Sequence, residues 1–363
     1  MNVKSKLEKI ITYIITYIGK NFIIFRPIAR NILKRNISKE VERAIDCFVP
    51  KEKRENKRYM RHLIKDVLNT RIFYNCPPDE FFLYEFERLS EAGRHEFVTN
   101  IEKESICRKL NSNWSTDGVW TIFQNKETTY KHFSKFYNRD VMLICNKDDY
   151  NAFCNFVEKH RSFIMKKHNS SKGTGVKIYN IDEYKGDKKE LLHELLKDGK
   201  VVIEELIKQD SPMAEFHPKS INTVRCATVL RNGKVHIITT ILRMGRGESV
   251  VDNAGSGGIL ACIDSETGIV CSYGFTENSN TKFVSHPDTG KQIVGFQVPK
   301  WQELIETVKE LANVIPEQRY VGWDLALTEN GWVMVEGNSA AQFVLRQLTT
   351  KRGIRSEVEE LLC

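Results

Sequence analysis

Three oxygen-bearing side chains near the C-terminus stand where they can share one ligand. Asp324 lies in an apolar run, Glu336 and Asn338 follow a second apolar run, and Asn330-Gly331 separates the two runs. This pair predicts a β-hairpin, whose strands would bring the three side chains to one end of a buried sheet. Mg²⁺ prefers carboxylate and amide oxygens, with phosphate oxygens completing its octahedron. The alternative is a pair of exposed acids, which the apolar flanks disfavour.

A glycine-containing segment is a second candidate for binding a phosphorylated ligand. Residues 170–176 read SSKGTGV and separate two predicted strands, Phe163–Lys167 and Val176–Tyr179. Because glycine lets backbone N–H groups come close to a ligand, such a loop can fold over phosphates. The alternative is an ordinary hairpin in solvent. The Walker motif and the dinucleotide-binding GxGxxG motif are both absent from the sequence.

Two adjacent carboxylates follow a third apolar run. Residues 201–203 predict a buried strand, and Glu204 and Glu205 come directly after it, before two apolar residues that end at Ile207. A strand end of this composition can offer a carboxylate and backbone groups to an adenine edge, with apolar walls around the ring. The alternative is a strand that leaves the core into solvent.

The elements that must position these groups are a mixture of helices and short strands. Apolar periodicity predicts helices at Asp149–His160 and Lys188–Asp198. The β-rich runs are Thr223–Leu230, Lys234–Met244, Gly258–Asp264 and Tyr320–Thr328, with a second hairpin turn at Asn232-Gly233. The predicted metal ligands therefore belong to a sheet.

The positive charge of the chain is concentrated at its start. The 363 residues include 55 Lys/Arg and 47 Asp/Glu, a net charge of +8. Residues 1–75 alone hold 18 basic and 7 acidic residues, so the rest of the chain is slightly acidic. The basic segment contains no recognisable module that reads nucleic acid, which disfavours a nucleic-acid partner.

The basic segment contains an apolar stripe with helical spacing. The stripe consists of Leu7, Ile10, Ile11, Ile14, Ile15 and Ile18, with lysines at 6, 9 and 20. It is shorter than the roughly 20 apolar residues of a membrane-spanning helix. Residues 1–35 are therefore expected to lie on an anionic membrane surface, or to pack the stripe against the rest of the protein.

The cysteines indicate a reducing compartment. There are nine of them, an odd number, and none is spaced CxxC. A disulfide framework or a zinc ribbon is therefore not expected. Without a cleavable signal, the sequence predicts a cytoplasmic protein that can be peripheral to the inner face of the membrane.

Several short motifs follow one another in a definite order along residues 120–345. Lys166, the glycine loop, Glu204-Glu205, Asp324 and Glu336-Gly337-Asn338 have the order and spacing of ATP-grasp enzymes. Between them lie the segments Ser220–Arg225, Leu242–Gly245, Val251–Asn253, Gly257-Gly258, Ile263-Asp264, Thr267-Gly268, His286–Gly290 and Gly322–Asp324. The ordered set, rather than any one motif, resembles the sugar-transfer-associated ATP-grasp family.

The resemblance implies an α+β fold of the ATP-grasp type, in which two α+β subdomains grip ATP, with a helical N-terminal extension. The ATP-grasp domain is expected at residues 121–345, with a glycine-loop subdomain near 160–210 and a metal-binding subdomain near 215–345. A basic amphipathic helical segment at 1–75 and a helical region at 76–120 precede it. A C-terminal helix at 346–363 follows it.

The resemblance also implies roles for individual residues. The residues implied to bind ATP are Lys131, Lys166, Gly173, Gly175, Glu204, Glu205 and Ile207. Among them, Lys166 would contact the phosphates, Lys131 matches an earlier nucleotide-binding lysine, and Glu204 would meet the adenine amino group. Glu205 and Ile207 match backbone positions of the hinge. Asp324, Glu336 and Asn338 match the magnesium ligands, and the ribose-binding acid has no clear counterpart.

Two arginines are the candidates for stabilising the transferred phosphoryl group. The forked guanidinium groups of Arg225 and Arg243 suit phosphate oxygens. Taken alone, either arginine could equally be a charge on the surface of a strand. Asp252 and Asn253 could position the acceptor, although a plain tight turn is the alternative there.

The implied activity is that of an ATP- and Mg²⁺-dependent carboxylate–amine ligase with an acyl-phosphate intermediate. The carboxylate and amine substrates would belong to surface polysaccharide or glycan-precursor synthesis, and at least one could be sugar- or lipid-linked. One alternative is an ATP-dependent kinase acting on a sugar or lipid headgroup. Another is a non-catalytic, membrane-associated nucleotide-binding protein, which the complete set of metal ligands disfavours.

Overall fold

A computed structural model describes residues 3–111, 119–168, 175–252, 255 and 257–362. The chain begins with helices that are joined by short turns. They are α1 (Val3–Asn21), α2 (Arg26–Asn36), α3 (Ser38–Phe48), α4 (Lys51–Arg54), α5 (Lys57–Tyr74), α6 (Pro78–Leu83), α7 (Glu91–His95) and α8 (Lys103–Leu110). None of the helices in the described part of the chain is long and apolar enough to cross a bilayer.

Local signals account for the ends of α5. The side chain of Asn56 accepts hydrogen bonds from the N–H groups of Arg58 and Tyr59, which otherwise lack partners in the first turn. Asn75 adopts a left-handed conformation with a φ of 52° and ends the helix. The prolines that follow prevent its continuation.

A four-stranded antiparallel sheet contains the strands on both sides of the glycine loop. Its strands are β1 (Val141–Ile144), β2 (Ser162–Lys167), β3 (Val176–Asn180) and β4 (Val201–Glu205), in the order β1-β4-β2-β3. The helices in this part of the chain are α9 (Lys126–Phe133), α10 (Tyr150–Lys159) and α11 (Lys188–Leu196). Phe153 of α10, Phe163 of β2 and Leu191 of α11 share one apolar core.

A larger sheet contains the predicted metal ligands. Its strands are β5 (Thr223–Arg231), β6 (Lys234–Met244), β7 (Ile259–Cys262), β8 (Gly274–Thr276), β9 (Ser279–Phe283), β10 (Tyr320–Thr328) and β11 (Gly331–Asn338). They pair in the order β11-β10-β5-β6-β7-β8-β9. The accompanying helices are α12 (Ser211–Ala214), α13 (Trp301–Val314), α14 (Val344–Thr350) and α15 (Arg355–Glu360).

Both predicted hairpins are present, but the turn of the second, predicted at Asn330-Gly331, consists of Glu329 and Asn330, because Gly331 already pairs with Thr328. Asn232 and Gly233, between β5 and β6, have φ values of 50° and 71°, the conformation that Asn-Gly turns favour. Gly331 has a φ of 106° and begins β11. This strand extends two residues beyond Glu336, its predicted end, so Asn338 belongs to it rather than following it.

The N-terminal helices share a core with the larger sheet. Leu33 of α2 and Phe81 of α6 belong to the same buried cluster as Ile241 of β6, Leu260 of β7 and Leu348 of α14. The first eighty or so residues thus contribute to the core on which the larger sheet rests.

Candidate active site

The register of the β10–β11 hairpin decides where the predicted metal ligands lie. Pairing from the turn as far as Leu325 with Met334 is regular, but Asp324 then pairs with Glu336, so that Val335 is an extra, bulged residue. Side chains directly opposite each other lie on the same face. Regular pairing would have set Val335 opposite Asp324 and turned Glu336 to the other face. The bulge therefore brings Asp324 and Glu336 together, and Asn338, opposite Gly322, lies on the same side.

Both predicted arginines contact the buried carboxylate of Asp324. Arg225, opposite Asp324 on β5, donates from Nε to Oδ1 and from Nη2 to Oδ2, the latter over 2.6 Å. Arg243 of β6 donates from Nη1 to Oδ2 over 2.7 Å. Its Nη2 also pairs with Asp252 at 3.1 Å, and Thr223 donates to Asp252. The two predicted catalytic arginines, the predicted metal ligand Asp324 and the predicted substrate-binding residue Asp252 thus form one network.

The network keeps Asp324 ionised. Burial by itself would raise the pKa of Asp324, but the charges of Arg225 and Arg243 outweigh it and hold the pKa below its usual range. Burial also raises the pKa of Asp252, and Arg243 offsets this only in part. Burial would lower the pKa of Arg243, but Asp252 and Asp324 raise it above its ordinary value.

Glu336 is the most accessible carboxylate of the predicted metal set. Its side chain is exposed, yet the surrounding protein displaces enough water to raise its pKa, and the charge of Asp324 adds to this. The cations of Arg225, Lys126 and Lys166 act in the opposite direction. Glu336 therefore responds to charges from both sheets.

A second buried cluster lies on the smaller sheet around Glu204. Lys166 of β2 approaches Oε1 of this carboxylate to 2.7 Å, and Arg139 approaches Oε2 to 2.6 Å. Burial would raise the pKa of Glu204, but the two cations lower it to about 2. Lys167 points away from this cluster and pairs with Asp198, as expected for neighbours in a strand.

Arg139 and Lys126 are site residues that the sequence did not indicate. Arg139 also donates from Nη1 to the backbone carbonyl of Met334 over 2.7 Å, which ties the smaller sheet to β11. Burial lowers the pKa of Lys126. The carboxylates of Glu336 and Glu204 act in the opposite direction, and the charge of Lys166 lowers the pKa further. Arg139 belongs to no motif, and only the contact across the two sheets identifies it.

The two lysines of α9 have different surroundings. Lys131, the predicted nucleotide-binding lysine, is exposed and pairs with Glu127 at 2.6 Å. Lys126, at the start of the same helix, is the lysine that lies among the site charges. Five residues turn a helix by well over a quarter of a circle, so the two side chains cannot share a face. The sequence signal that could have distinguished the two lysines is their helical spacing from the residues of α9 that face the core, Thr129 and Phe133.

The remaining predicted nucleotide contacts lie on or beside the smaller sheet. Gly175 has a φ of 76°, and a Cβ there would come within 2.8 Å of the Lys167 side chain, so both the conformation and the space require glycine. The N–H of Glu205 donates to the carbonyl of Asp140 over 2.9 Å. Ile207 is half-buried just beyond β4. Gly173, also predicted to bind ATP, and Asn253, predicted to position the acceptor, lie outside the described residues.

The donors present suit a magnesium ion. Asp324 has about four lone-pair positions, of which Arg225 uses two and Arg243 one. Glu336 offers a second carboxylate. The Asn338 amide nitrogen is buried and has no hydrogen-bond partner in the described part of the chain, and the two orientations of such an amide are interchangeable. Turning the amide would present its oxygen to a cation, so Asp324, Glu336 and Asn338 can hold Mg²⁺.

Another group of potential metal ligands lies near the end of β4. Asp140, His160 and Glu205 bring ligand atoms within 4.8 Å of one another. However, Oδ2 of Asp140 already contacts His160 Nε2 at 2.7 Å and the ammonium of Lys159. A cation would have to displace Lys159, so this group is better described as a hydrogen-bonded network.

The two sheets, with the Glu204 cluster on one and the predicted metal ligands on the other, define an ATP-grasp protein. The model of the sugar-transfer associated ATP-grasp family matches residues 120–361, about two thirds of the chain. The chain belongs to this family. The α+β fold and the family expected from the motifs are thereby confirmed.

Solved structures with a similar arrangement are distant in sequence. D-alanyl-alanine synthetase A from Vibrio cholerae O1 biovar eltor is 13% identical, with a TM-score of 0.40 over 66% of this chain and 60% of that chain. D-alanine-D-alanine ligase from Helicobacter pylori is 15% identical, with a TM-score of 0.39 over 67% and 61%. The ATP-grasp ligase PsnB, solved with a minimal precursor, is 10% identical, with a TM-score of 0.42 over 69% and 62%.

The chain therefore spans about three fifths of the length of these proteins. A similarity of this size says nothing about the substrates of the present chain. A search of the curated proteins finds no match.

Proposed function

We propose that the protein is an ATP- and Mg²⁺-dependent carboxylate–amine ligase. The observation that carries the proposal is the electrostatic contact between the two sheets. The charges of Lys126 and Lys166 lower the pKa of Glu336 on the larger sheet. The charge of Glu204, on the smaller sheet, raises the pKa of Lys126. A nucleotide between the sheets would place its phosphates among these cations and next to the metal ligands.

The proposed position of ATP follows from the chemistry of each end. The adenine lies beside the end of β4, where Glu204, Glu205 and Ile207 provide a carboxylate and backbone groups. Lys166, Lys126 and the loop that ends at Gly175 hold the phosphates. Asp324, Glu336 and Asn338 would hold Mg²⁺, which would neutralise part of the phosphate charge.

The two arginines have different proposed tasks. Arg243 is buried between Asp252 and Asp324, so we assign it to positioning these two carboxylates. Arg225 is half-buried and donates hydrogen bonds to Asp324 from Nε and Nη2. Neither hydrogen bond uses its third nitrogen, Nη1. That nitrogen is the proposed donor to the transferred phosphoryl group, where developing charge makes a preorganised donor effective.

The proposed reaction consists of two transfers. An oxygen of the carboxylate substrate forms a bond to the γ-phosphorus of ATP, the bond to the β,γ-bridging oxygen breaks, and ADP leaves. The amine then attacks the acyl carbon, inorganic phosphate leaves, and an amide forms with loss of a proton. The residues position the reactants and neutralise charge, so no covalent enzyme intermediate is needed.

The proposed pathway is surface polysaccharide or glycan-precursor synthesis, which the description of the family supports. The substrates would then be a carboxylate and an amine, at least one of them sugar- or lipid-linked. The basic N-terminal segment is the proposed site of contact with the inner face of an anionic membrane.

The decisive experiment measures ADP release from Mg-ATP across candidate carboxylates and amines, with mass spectrometry of the products. Amine-dependent ADP release together with an amide product is expected. Glu336→Gln should lower the rate by about a hundredfold or more, because it removes one of the two carboxylates proposed to hold the Mg²⁺ that neutralises the phosphate charge. Glu329→Gln, in the exposed turn of the same hairpin, is the matched control and should retain full activity.

Two results would contradict the proposal. A stable phosphorylated acceptor that forms without any amine would identify a kinase instead. Full activity of the Glu336→Gln protein would reject the proposed metal site.

A further inference from the structure

The first helix buries polar and small residues and exposes large apolar ones. The residues of α1 that are buried against the protein include Thr12, Thr16 and Gly19, together with Ile15. Its exposed face carries large apolar and aromatic residues, namely Ile10, Ile11, Tyr13, Ile14 and Tyr17. A surface helix in water normally has the opposite arrangement. The predicted apolar stripe is thus divided, with Ile15 inside and most of its other described members outside.

The inward face of α1 is already well packed. The hydroxyl of Thr16 donates to the carbonyl of Thr12 over 2.7 Å, so this buried polar group is satisfied within the helix. A Cβ at Gly19 would lie 2.9 Å from the Cβ of Ala29 and 3.2 Å from a methyl group of Ile72. Such close packing fixes the helix against α2 and α5. Rotating α1 to bury its outer face would break these contacts.

The turn between α1 and α2 extends the apolar surface. Phe22, Ile23, Ile24 and Phe25 are all exposed, and Ile23 and Ile24 reach 71% and 84%. Arg26 holds the base of this turn, because its Nε donates to the carbonyl of Gly19 and its guanidinium lies 4.7 Å from the ring centre of Phe73. The four residues therefore form an apolar tip on an anchored helical hairpin.

The charge around this surface has one sign. No acidic residue occurs between Glu8 and Glu40, whereas this interval contains seven lysines and arginines. Lys20, Lys34 and Arg35 are exposed. A symmetric pair of chains would bring like charges together across such a patch, because a two-fold interface uses the same surface twice. Lipid phosphates supply the opposite charge.

We propose that the hairpin of α1 and α2 binds the surface of an anionic bilayer, with residues 22–25 inserted among the lipids. The outward face of α1 then lies at the boundary between headgroups and acyl chains, and the lysines and arginines contact phosphate groups. Insertion is interfacial, since no described helix can cross the bilayer. This proposal rests on and specifies the membrane contact proposed above for the basic N-terminal segment. It does not depend on the ligase reaction, so a failure of either leaves the other intact.

The test is co-sedimentation of the full chain with vesicles of phosphatidylcholine alone, or of phosphatidylcholine with phosphatidylglycerol. Strong binding is expected only with the anionic mixture, and it should weaken as salt screens the charges. Changing both Ile23→Asp and Ile24→Asp should reduce binding by about tenfold or more, because charged side chains replace the apolar tip. Val284→Asp, at a 50% exposed position directly after β9, is the matched control and should bind normally.

A second variant separates charge from apolar insertion. The triple change Lys20→Gln, Lys34→Gln and Arg35→Gln should lower the preference for anionic vesicles about tenfold or more while the tip stays intact, since each basic residue adds to the attraction. Because all the changed side chains are exposed, the thermal unfolding temperature should not move.

Either of two outcomes would overturn the proposal. One is unchanged vesicle binding by the Ile23→Asp, Ile24→Asp protein. The other is a wild-type dimer in light scattering that the same variant converts to monomer, with no vesicle binding by either form. That result would assign the surface to a second copy of the chain.

Discussion

The carboxylate of Glu204 remains an anion in the protein interior because two cations face it. Lys166 and Arg139 approach its two oxygens from neighbouring parts of the smaller sheet and its flank. Removing one member of such a buried ion cluster leaves the charges of the others buried and unpaired. In the proposed complex, ATP would enter beside this cluster, so the cluster keeps Lys166 in place before the nucleotide binds.

Glu204→Gln should therefore destabilise the protein at neutral pH by about 3–5 kcal/mol. The pKa of Glu204 is about 2 in the folded state, below its ordinary value of 4.5. Its stabilising contribution is thus present above pH 4.5 and is lost as the pH falls toward 2. Urea unfolding at a series of pH values should show a smaller loss of stability on acidification for the variant than for the wild type.

Glu158 offers a matched control for this prediction. It also forms an ion pair, with Lys188, but its side chain is largely exposed. Glu158→Gln should change the free energy of unfolding by less than about 1 kcal/mol. Equal effects of the two substitutions would mean that the buried cluster does not stabilise the fold.

At the scale of elements, α6 depends on a buried acid. Both oxygens of Glu80 lie 3.1 Å from the N–H of Asn100, which links this helix to the segment before α8. Burial raises the pKa of Glu80 to about 8, and the hydrogen bond from Asn100 offsets this only in part. At neutral pH the carboxyl is therefore mostly protonated in the folded protein.

This raised pKa predicts that stability falls as the pH rises. The folded protein binds the proton of Glu80 more tightly than the unfolded chain does, so its contribution is complete below about pH 4.5 and is lost by about pH 8. In the wild type, Glu80 should lower the free energy of unfolding by up to about 4 kcal/mol between pH 5 and 9, at about 1.4 kcal/mol for each pH unit. Glu80→Gln should remove this decrease. Chemical unfolding between pH 5 and 9 measures it, with the exposed Glu104→Gln as the control. An unaltered slope in the Glu80 variant would argue against this assignment.

At the scale of the whole molecule, the N-terminal helices and the larger sheet share one apolar core, so we expect them to unfold as one cooperative unit. Leu33 of α2 is fully buried in the cluster that also contains Leu260 and Leu348. Removing the whole segment before the ATP-grasp domain would strip the larger sheet of part of its core. Point substitutions at exposed positions of the hairpin are therefore better probes of membrane binding than truncation.

Leu33→Ala should lower the free energy of unfolding by about 2–5 kcal/mol, because it leaves a cavity in this shared core. Three of the five tryptophans, Trp301 of α13, Trp323 of β10 and Trp332 of β11, belong to the core of the larger sheet and contribute to the fluorescence, whereas circular dichroism reports on all helices. Both signals should shift together. Ile32→Ala, the exposed neighbour on the same helix, should have little effect. Two separate transitions, with only the helical one shifted, would show that the helices form an independent domain.

Residue types and their spacing determined much about this protein. Asn232-Gly233 formed the predicted turn because this pair readily adopts the left-handed conformation. The order of Lys166, the Glu204-Glu205 pair, Asp324 and Glu336 along the chain predicted the ATP-grasp fold, and the segments between them predicted the family. These features depend on local backbone preference or on linear order, and both can be read from a sequence.

Other features depended on contacts between distant residues. The bulge at Val335 placed Glu336 on the face of Asp324, whereas regular pairing from the same turn would have separated them. Arg139 became a site residue only because it contacts Glu204 and β11 together. The face of α1 that is buried was decided by close packing of Gly19 and the two threonines, against the hydrophobic pattern. Strand register, contacts across sheets and the fit of one helix against another arise only when the whole chain is folded, so tertiary structure alone could decide them.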